Sequence, residues 1–297
     1  MIDLYPSRTG APSGVSERKD PVVYPPTSAC VEPAVTHDQL ESFAREGVLF
    51  VEGLFSTSEI TELADELAQE VRDRRDDSSP ELVREPDGNE IRSLFRIHRT
   101  HPSFEKLAAD RRFVRVAEAI LGSPVYVHQS RVNLKPAFDG QEFAWHSDFE
   151  TWHVEDGMPR MRALSVSINL TPSYPFNGPL MVMPGSHLHY VACSGMTPEN
   201  HHLVSLRRQE YGVPERDVLS WLGERCGIRA PTGPAGSVVF FDCNIMHGSN
   251  GNITPFPRTN AFFVYNSVEN TLVEPFSGLP PRPEHIASRE FRPVNAV

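Results

Sequence analysis

A mostly β core with helices packed around it is the fold class this sequence predicts, on three observations. Five runs after residue 120 are short, extended in composition and punctuated by Pro, Gly or Asn: PVYVHQSRVNLKP, ALSVSINL, PLMVMPG, SVVFFDCNIMHG and TNAFFVYNSVE. Two of them alternate polar with apolar residues, the period of a strand with two unlike faces. The first 120 residues instead carry helix start and stop signals. Several turn-bounded strands indicate a sandwich or barrel. A chain of 297 residues fits one such domain with helical additions.

Taken in order, residues 1–28 are rich in Pro, Ser and charge without a sustained apolar period, which predicts a flexible arm or one lying extended on the surface. A single catalytic domain is expected from 29 to 297, with its helical part at about 36–122. Thr36 with Gln39 forms a capping-box pattern before a short helix ending at Gly47. Ser56 with Glu59 repeats it before a longer helix whose face is marked by Ile60, Leu63, Leu67 and Val71. A charged loop, RDRRDDSSPELVREPDGNE, follows. A third helical region spans about 103–121 and is stopped by Gly122.

The five strand-like runs come next, interrupted at about 197–227 by helix-like sequence (ENHHLVSLRRQEYG, ERDVLSWLGERCG). Such an insertion packs outside the barrel or over its mouth. His201 and His202 lie in it and read as surface residues. In the run 124–135, Gln129, Arg131 and Asn133 share one face. In 163–170, Ser165, Ser167 and Asn169 do the same. Solvent facing is the ordinary account of such polar rows. The competing account turns them inward, to line a cavity for a small, very polar ligand, with Arg131 offered to a carboxylate. The inward arrangement is the one carried forward.

Composition limits the function classes. The formal charge is -11 and the pI about 5.5, and no segment carries the basic stripe that a nucleic-acid surface needs. No apolar run approaches the ~20 residues of a membrane span, and the N-terminus lacks a signal-peptide h-region, so a cytoplasmic protein is expected. Cys30, Cys193, Cys226 and Cys243 are scattered without metal-binding or disulfide spacing and read as ordinary thiols.

The chemistry is carried by His146 and Asp148 in AWHSDFETWH and by His247 in NIMHGSN. An H-x-D pair with a distant His is the pattern of the 2-His-1-carboxylate triad, which holds Fe(II) on one face and leaves the others open. On a strand, His146 and Asp148 point the same way while Ser147 faces elsewhere. With 12 His and 39 acidic residues, a lone H-x-D can also arise by chance. Arg258 adds weight. It stands eleven residues after His247, beyond the turn-rich GSNGNITPFPR. If His247 closes one strand and Arg258 opens the next, a hairpin brings a guanidinium fork near the metal, ready for a carboxylate. Iron with a carboxylate anchor suggests 2-oxoglutarate.

The stretch QEFAWHSDFETWHVEDGMP, with NGPLMVMPGSH, SVVFFDCNIMHGS and NAFFVYNSVEN, resembles the phytanoyl-CoA dioxygenase superfamily and, within it, the ectoine hydroxylase family, over roughly residues 35–290. This likeness implies a double-stranded β-helix (jelly-roll) core. It also implies hydroxylation of ectoine to 5-hydroxyectoine with Fe(II), 2-oxoglutarate and O2, giving succinate and CO2, in the synthesis of a compatible solute used under osmotic and heat stress. By position, His146, Asp148 and His247 match the iron ligands. Arg258, Phe95, Arg131 and Ser165 match positions around 2-oxoglutarate. Gln129, Asn133, Trp152, Ser167, Phe241 and Phe262 match the neighbourhood of ectoine. The family likeness allows a homodimer.

Trp152, Phe241 and Phe262 are candidates for stacking on the delocalised cation of ectoine; the competing account for the two Phe is barrel packing. Trp145 reads as structural, and His153, Glu150 and Glu155 as hydrogen-bonding groups around the site. Three alternatives stand beside this reading: a related dioxygenase acting on another small zwitterion or an acyl thioester, a metal protein without redox chemistry such as a zinc hydrolase, and a barrel with a fortuitous His–Asp pair.

Overall fold

A computed structural model describes residues 2–26, 34–85, 90–207 and 209–297; Cys30 lies outside the described residues. In chain order the elements are β1 (Gly14–Glu17), α1 (His37–Glu46), β2 (Val48–Val51), α2 (Thr57–Asp73), β3 (Leu82–Arg84), β4 (Ile91–Phe95), α3 (Ile97–Thr100), α4 (Pro102–Ala108), α5 (Arg111–Leu121), β5 (Val125–Lys135), β6 (Phe143–His146), α6 (Asp148–Thr151), β7 (Ala163–Asn169), β8 (Met181–Val182), β9 (His189–Ala192), α7 (His202–Ser205), α8 (Arg216–Cys226), β10 (Val238–Asp242), β11 (His247–Ser249) and β12 (Arg258–Ser267). A π-helical turn, Trp152–Asp156, continues α6.

Both expected capping boxes form. Thr36 and Gln39 cap α1, Ser56 and Glu59 cap α2, and each pair satisfies two otherwise orphaned N–H groups. Gly47 ends α1 with φ 71°, and a Cβ there would meet the His187 ring at 2.4 Å, so conformation and space both demand glycine. The expected third helix is two. Asp110 accepts from the Arg112 N–H and starts α5 afresh after α4, because its short carboxylate caps better than it continues a helix.

The strands form a seven-stranded antiparallel sheet, in the order β2-β10-β7-β12-β5-β4-β3, facing a three-stranded sheet, β6-β11-β8. This is the jelly-roll arrangement of two sheets enclosing a cavity. β12 lies between β5 and β7, and its register sets their side chains into rows: Gln129–Val264–Ser165, Arg131–Phe262–Ser167 and Asn133–Asn260–Asn169. The intervening residues, such as Val132, Ala261 and Ile168, face the other way, where α1, α2, α4 and α5 cover them with Phe43, Leu63, Phe104 and Phe113. The helices therefore take the apolar face and leave the polar rows to point inward.

Two expectations need correction. The region before residue 122 contributes β2, β3 and β4 to the main sheet besides its helices, and β3 lies inside the stretch read as a charged loop. Three or four residues at a sheet edge are too few to show a period against the surrounding charge.

The N-terminal segment is likewise built into the domain over its described residues. β1 pairs with β9, Tyr5 is completely buried, and Arg8 and Arg18 form buried ion pairs with Glu150, Glu155 and Asp242. Its anchors are charges meeting distant partners, which leave no apolar period to read.

Phe113 joins the helical layer to the sheet, touching Phe55, Phe240 and Phe263 from a fully buried position. Phe113→Ala is expected to cost about 3–5 kcal/mol of stability, the scale of a large-to-small core substitution. Urea denaturation measures it, and a loss below about 1 kcal/mol would refute this account of the helix–sheet contact.

Candidate active site

The triad assembles from both sides of the minor sheet. β6 ends at His146 and β11 begins at His247, and the two residues are direct cross-strand partners with ring centroids 4.2 Å apart. Asp148 is not on the strand with His146, as the spacing suggested; the chain turns at Ser147 and Asp148 opens α6. His247 likewise opens a strand rather than closing one. The carboxylate still reaches both imidazoles, with Oδ1 3.6 Å from His146 Nε2 and Oδ2 3.8 Å from His247 Nε2. The ligand atoms of the three all lie within 4.8 Å of one another.

Backbone carbonyls set the ring tautomers. His146 Nδ1 lies 2.7 Å from the Ala144 carbonyl and His247 Nδ1 3.1 Å from that of Ile245. A carbonyl only accepts, so each Nδ1 carries the proton and each Nε2 presents a lone pair to the common point. Burial, with the neighbouring His146, pulls the His247 pKa down to about 4, which keeps the ring neutral as a metal ligand must be. Burial alone would raise the Asp148 carboxyl. The facing His247, His146 and Arg131 outweigh it and hold the group below the usual carboxylate range.

The turn between the ligands is fastened to the other half of the site. Ser147 Oγ donates to Asn244 Oδ1 at 3.0 Å, and Asn244 Nδ2 donates to the His187 and His189 carbonyls, both at 3.0 Å. In the PGSH turn, Ser186 Oγ accepts from the Met246 N–H at 2.9 Å, one residue before His247. These groups fix where the two histidine-bearing strands meet.

Two cavities that share part of their lining flank the triad. The larger, about 640 Å³, is lined by Phe95, Gln129, Arg131 and Asn133 of the major sheet, by Phe143, His146, Asp148, Thr151, Trp152 and Glu155, and by Arg282. The insertion supplies its cover through His201, Leu206, Gln209, Tyr211 and Val213. The smaller cavity shares Arg131, Asn133, Phe143 and His146 and adds His247, Ser249, Arg258 and Phe262. Arg258 is buried there, its Nε has no hydrogen-bond partner among the described residues, and no carboxylate is among the charges acting on it. Burial, with Arg92 adding, pulls it down to about 10. A buried guanidinium left unpaired is costly, and an incoming carboxylate offsets that cost. The donor set and this orphaned cation fit iron and an anionic cosubstrate together.

Most expected site residues meet here, with exceptions. Ser165 stands behind Asp148, its Oγ 3.4 Å from Oδ2, outside the cavity lining. Ser167 accepts from Asn260 Nδ2 within the sheet, and Phe241 packs its ring 5.1 Å from that of His247; neither lines a cavity. Both belong to the inward face, but neighbouring side chains of the sheet cover them. Phe262 does line the smaller cavity, yet Arg131 lies over its ring at 4.8 Å, so that aromatic face already holds a cation. His201, read as a surface residue, is buried against Tyr211.

Sequence reading missed Ser249, Lys135 and Arg282. Ser249 stands two residues after His247 on the same strand, a period-two signal that was available. Lys135 donates to Ser249 Oγ at 2.9 Å from behind the cavity wall. Arg282 lies among prolines in a coil, paired bidentately with Asp156, and nothing in the local pattern marks it.

A jelly roll with a His–Asp–His face and a buried arginine beside it defines the class of mononuclear non-haem iron, 2-oxoglutarate-dependent oxygenases. Residues 43–260 match the family described as phytanoyl-CoA dioxygenase, and the chain belongs to that family. It is 53% identical over 296 residues to the ectoine dioxygenase of Stutzerimonas stutzeri, covering 99% of this chain and 97% of that one. Crystal structures of EctD from S. alaskensis, 47% identical, cover 100% of this chain and 98% of theirs. One, with 2-oxoglutarate and 5-hydroxyectoine, superposes with a TM-score of 0.89; another, with bound Fe, with 0.87. No helix among the described residues is long and apolar enough to cross a membrane.

Asp148→Ala is expected to abolish both Fe(II) binding and turnover while the far-ultraviolet spectrum stays that of the parent; metal bound at parental stoichiometry would remove the triad assignment.

Lys135 provides a pH test. Burial chiefly, then Arg258 and Arg92, pull it from 10.5 down to about 6. Between those values the unfolded chain holds a proton that the folded one lacks. The penalty is therefore full below about 6 and lifts as pH rises toward 10.5, and stability from this group rises across that window. A bound dianion favours the ammonium form, so 2-oxoglutarate binding is expected to take up a proton and to weaken as pH rises from about 6 to 9. Lys135→Met should flatten the dependence. Calorimetric titration in buffers of different ionisation enthalpy reads the uptake, and its absence in the parent protein refutes the linkage.

Proposed function

We propose that this protein is an Fe(II)- and 2-oxoglutarate-dependent dioxygenase that converts ectoine to 5-hydroxyectoine, with succinate and CO2 as coproducts. The observation that carries the reading is the orphaned Arg258 guanidinium buried beside the His146–Asp148–His247 face. A zinc site prefers Cys and His ligands and needs no partner for 2-oxoglutarate, whereas a dicarboxylate cosubstrate calls for such a cation. The choice of ectoine is supported by the relatives named ectoine dioxygenase across nearly the whole chain and by the EctD structure with 5-hydroxyectoine. A homodimeric state belongs to this reading on family likeness, and a cytoplasmic site of action on the sequence pattern alone.

When bound, iron and 2-oxoglutarate activate O2, one oxygen atom entering a substrate C–H bond and the other the succinate formed by decarboxylation. The chain's own residues do the positioning. His146, Asp148 and His247 hold the metal on one side, leaving its other side toward the cavities. Arg258 takes the far carboxylate of 2-oxoglutarate in its fork, with Ser249 and Lys135 at the same end and Phe95 and Arg131 near the cosubstrate by family position, while Ser165 backs Asp148. Gln129, Asn133 and Trp152 face the larger cavity, where a small zwitterion is held by polar contacts and by the indole face. Asn133 and Arg131 line both cavities and so stand between the two ligands. No side chain has to act as a base, and the protein's contribution is orientation and exclusion of water.

The test is succinate formation by the Fe(II)-loaded protein given 2-oxoglutarate and O2, with and without ectoine, while NMR follows 5-hydroxyectoine. Equal amounts of succinate and hydroxyectoine are expected; succinate indifferent to ectoine removes the substrate, and none at all removes the oxygenase. Arg258→Ala should raise the 2-oxoglutarate requirement about 10- to 150-fold, the equivalent of a lost charge-assisted contact of ~1.5–3 kcal/mol. Unchanged dependence on the cosubstrate would place its carboxylate elsewhere.

A further inference from the structure

We infer that Arg8, in the N-terminal segment, is a positioning residue that joins the wall of the substrate cavity to its cover and so sets substrate affinity; the inference rests on the functional reading above. The side chain is buried and reaches into the turn that follows Asp148. Its Nε and Nη2 donate to the two oxygens of Glu150 at 2.9 and 2.6 Å, Nη2 also to Thr151 Oγ1 at 3.0 Å, and Nη1 to Glu155. Thr151 and Glu155 line the larger cavity, with Trp152 between them. One guanidinium therefore holds three residues of this turn, two of them in the cavity wall.

The same group meets the cover. Nη1 is 3.4 Å from Thr197 Oγ1, where the insertion begins. The backbone runs alongside, with the Arg8 N–H bound to the Cys193 carbonyl and Gly10 to Gly195, both at 2.9 Å. Further on, Gly212 sits directly on the ion pair: a Cβ there would lie 2.3 Å from Arg8 Nη2 and 2.7 Å from Glu150 Oε2. Its neighbours Tyr211 and Val213 line the cavity from the cover side. Position 212 also has φ 72°, so only glycine lets the cover approach this closely without strain.

The chemistry of the group matters as much as its charge. Two carboxylates and two hydroxyls are served from one planar fork, which three ammonium hydrogens on a flexible stem do not reproduce. Burial opposes the charge on Arg8, but Glu150 and Glu155 outweigh it and keep the guanidinium protonated. A shift of the wall by about 1 Å is enough to spoil alignment of a substrate C–H bond.

The experiment compares full-length, Fe(II)-loaded Arg8→Lys and Gly212→Ala with the parent. It measures kcat, the KM for ectoine and for 2-oxoglutarate, iron content, and hydrogen exchange of the 209–213 backbone. Lysine keeps the charge and removes the fork; the alanine leaves Arg8 intact and pushes the cover off it. Both are expected to raise the ectoine KM about fivefold or more. Iron content and the 2-oxoglutarate KM should hold within about twofold, and exchange at 209–213 should quicken. An ectoine KM unchanged in both variants overturns the inference, and so does a parallel loss of iron, cosubstrate affinity and substrate affinity, which marks a general structural role. If the parent shows no ectoine-dependent turnover, the functional reading fails instead, and exchange at 209–213 in Arg8→Lys still decides whether Arg8 anchors the cover. Should Arg8→Lys not fold, Gly212→Ala alone carries the comparison.

Discussion

The register of β12 between β5 and β7 is the constraint on which the site depends. Because side chains alternate across a sheet, fixing β12 to both neighbours at once sorts every residue of three strands into helix-facing or cavity-facing. A slip by one residue would turn Arg131 and Asn133 toward the helices and Val132 into the cavity. Phe113, Leu63 and Phe104 oppose that slip by occupying the apolar side. A bulge between Val264 and Tyr265 leaves His128 without a direct partner on β12, and there the ring turns to Asp156, 3.3 Å away. Arg258, the first residue of β12, owes its place at the cavity to the same register.

Charge inside this barrel is distributed unevenly, and the unevenness has a direction. Asp156 is matched by Arg282, Glu85 by Arg92, and Glu150 with Glu155 by Arg8, each in a buried pair. Among the described residues Arg258 has no carboxylate partner, and Lys135 near it carries a strongly lowered pKa. A protein that pairs these buried carboxylates with arginines but leaves the Arg258 guanidinium at one end of a cavity has built an anion site at a cost in stability. The triad end behaves differently, with the His247 imidazole kept neutral and a held carboxylate, as a divalent metal requires.

Much of this was legible in the sequence, for physical reasons that differ by element. α1 and α2 announced themselves because a capping box is local chemistry, complete within four residues. The polar rows on β5 and β7 were readable as alternation, and their inward direction followed once a ligand cavity was allowed to compete with solvent. The triad was legible as three residues, but its local geometry was not: Asp148 sits on a helical turn, and spacing alone does not say where a strand ends. Ser167 and Phe241 show the further limit. Facing inward is a property of a residue and its strand, whereas lining a cavity depends on which neighbours intervene, as Asn260 does for Ser167. His201 escaped for the same reason, since its burial is supplied by Tyr211 ten residues away.

The N-terminal segment marks the boundary of pattern reading most sharply. Its composition is that of a solvated arm, and by apolar content alone the arm has little to bury. What holds it is specific contact at long range: Arg8 with Glu150, Arg18 with Asp242, and Tyr5 with the rings of Phe149 and Tyr190. The partners of Arg8 and Arg18 lie on the turn after Asp148 and at the end of β10, the two segments that lead from the sheets into the triad. A strap of this kind stabilises the fold only modestly per contact, because each buried pair must first recover its desolvation cost. Its advantage is geometric. A cavity of about 640 Å³ is covered on one side by short helices and loops, and directional hydrogen bonds to charged groups fix distances there. The segment least marked by hydrophobic pattern is therefore suited to the task where precision of placement outweighs net stability.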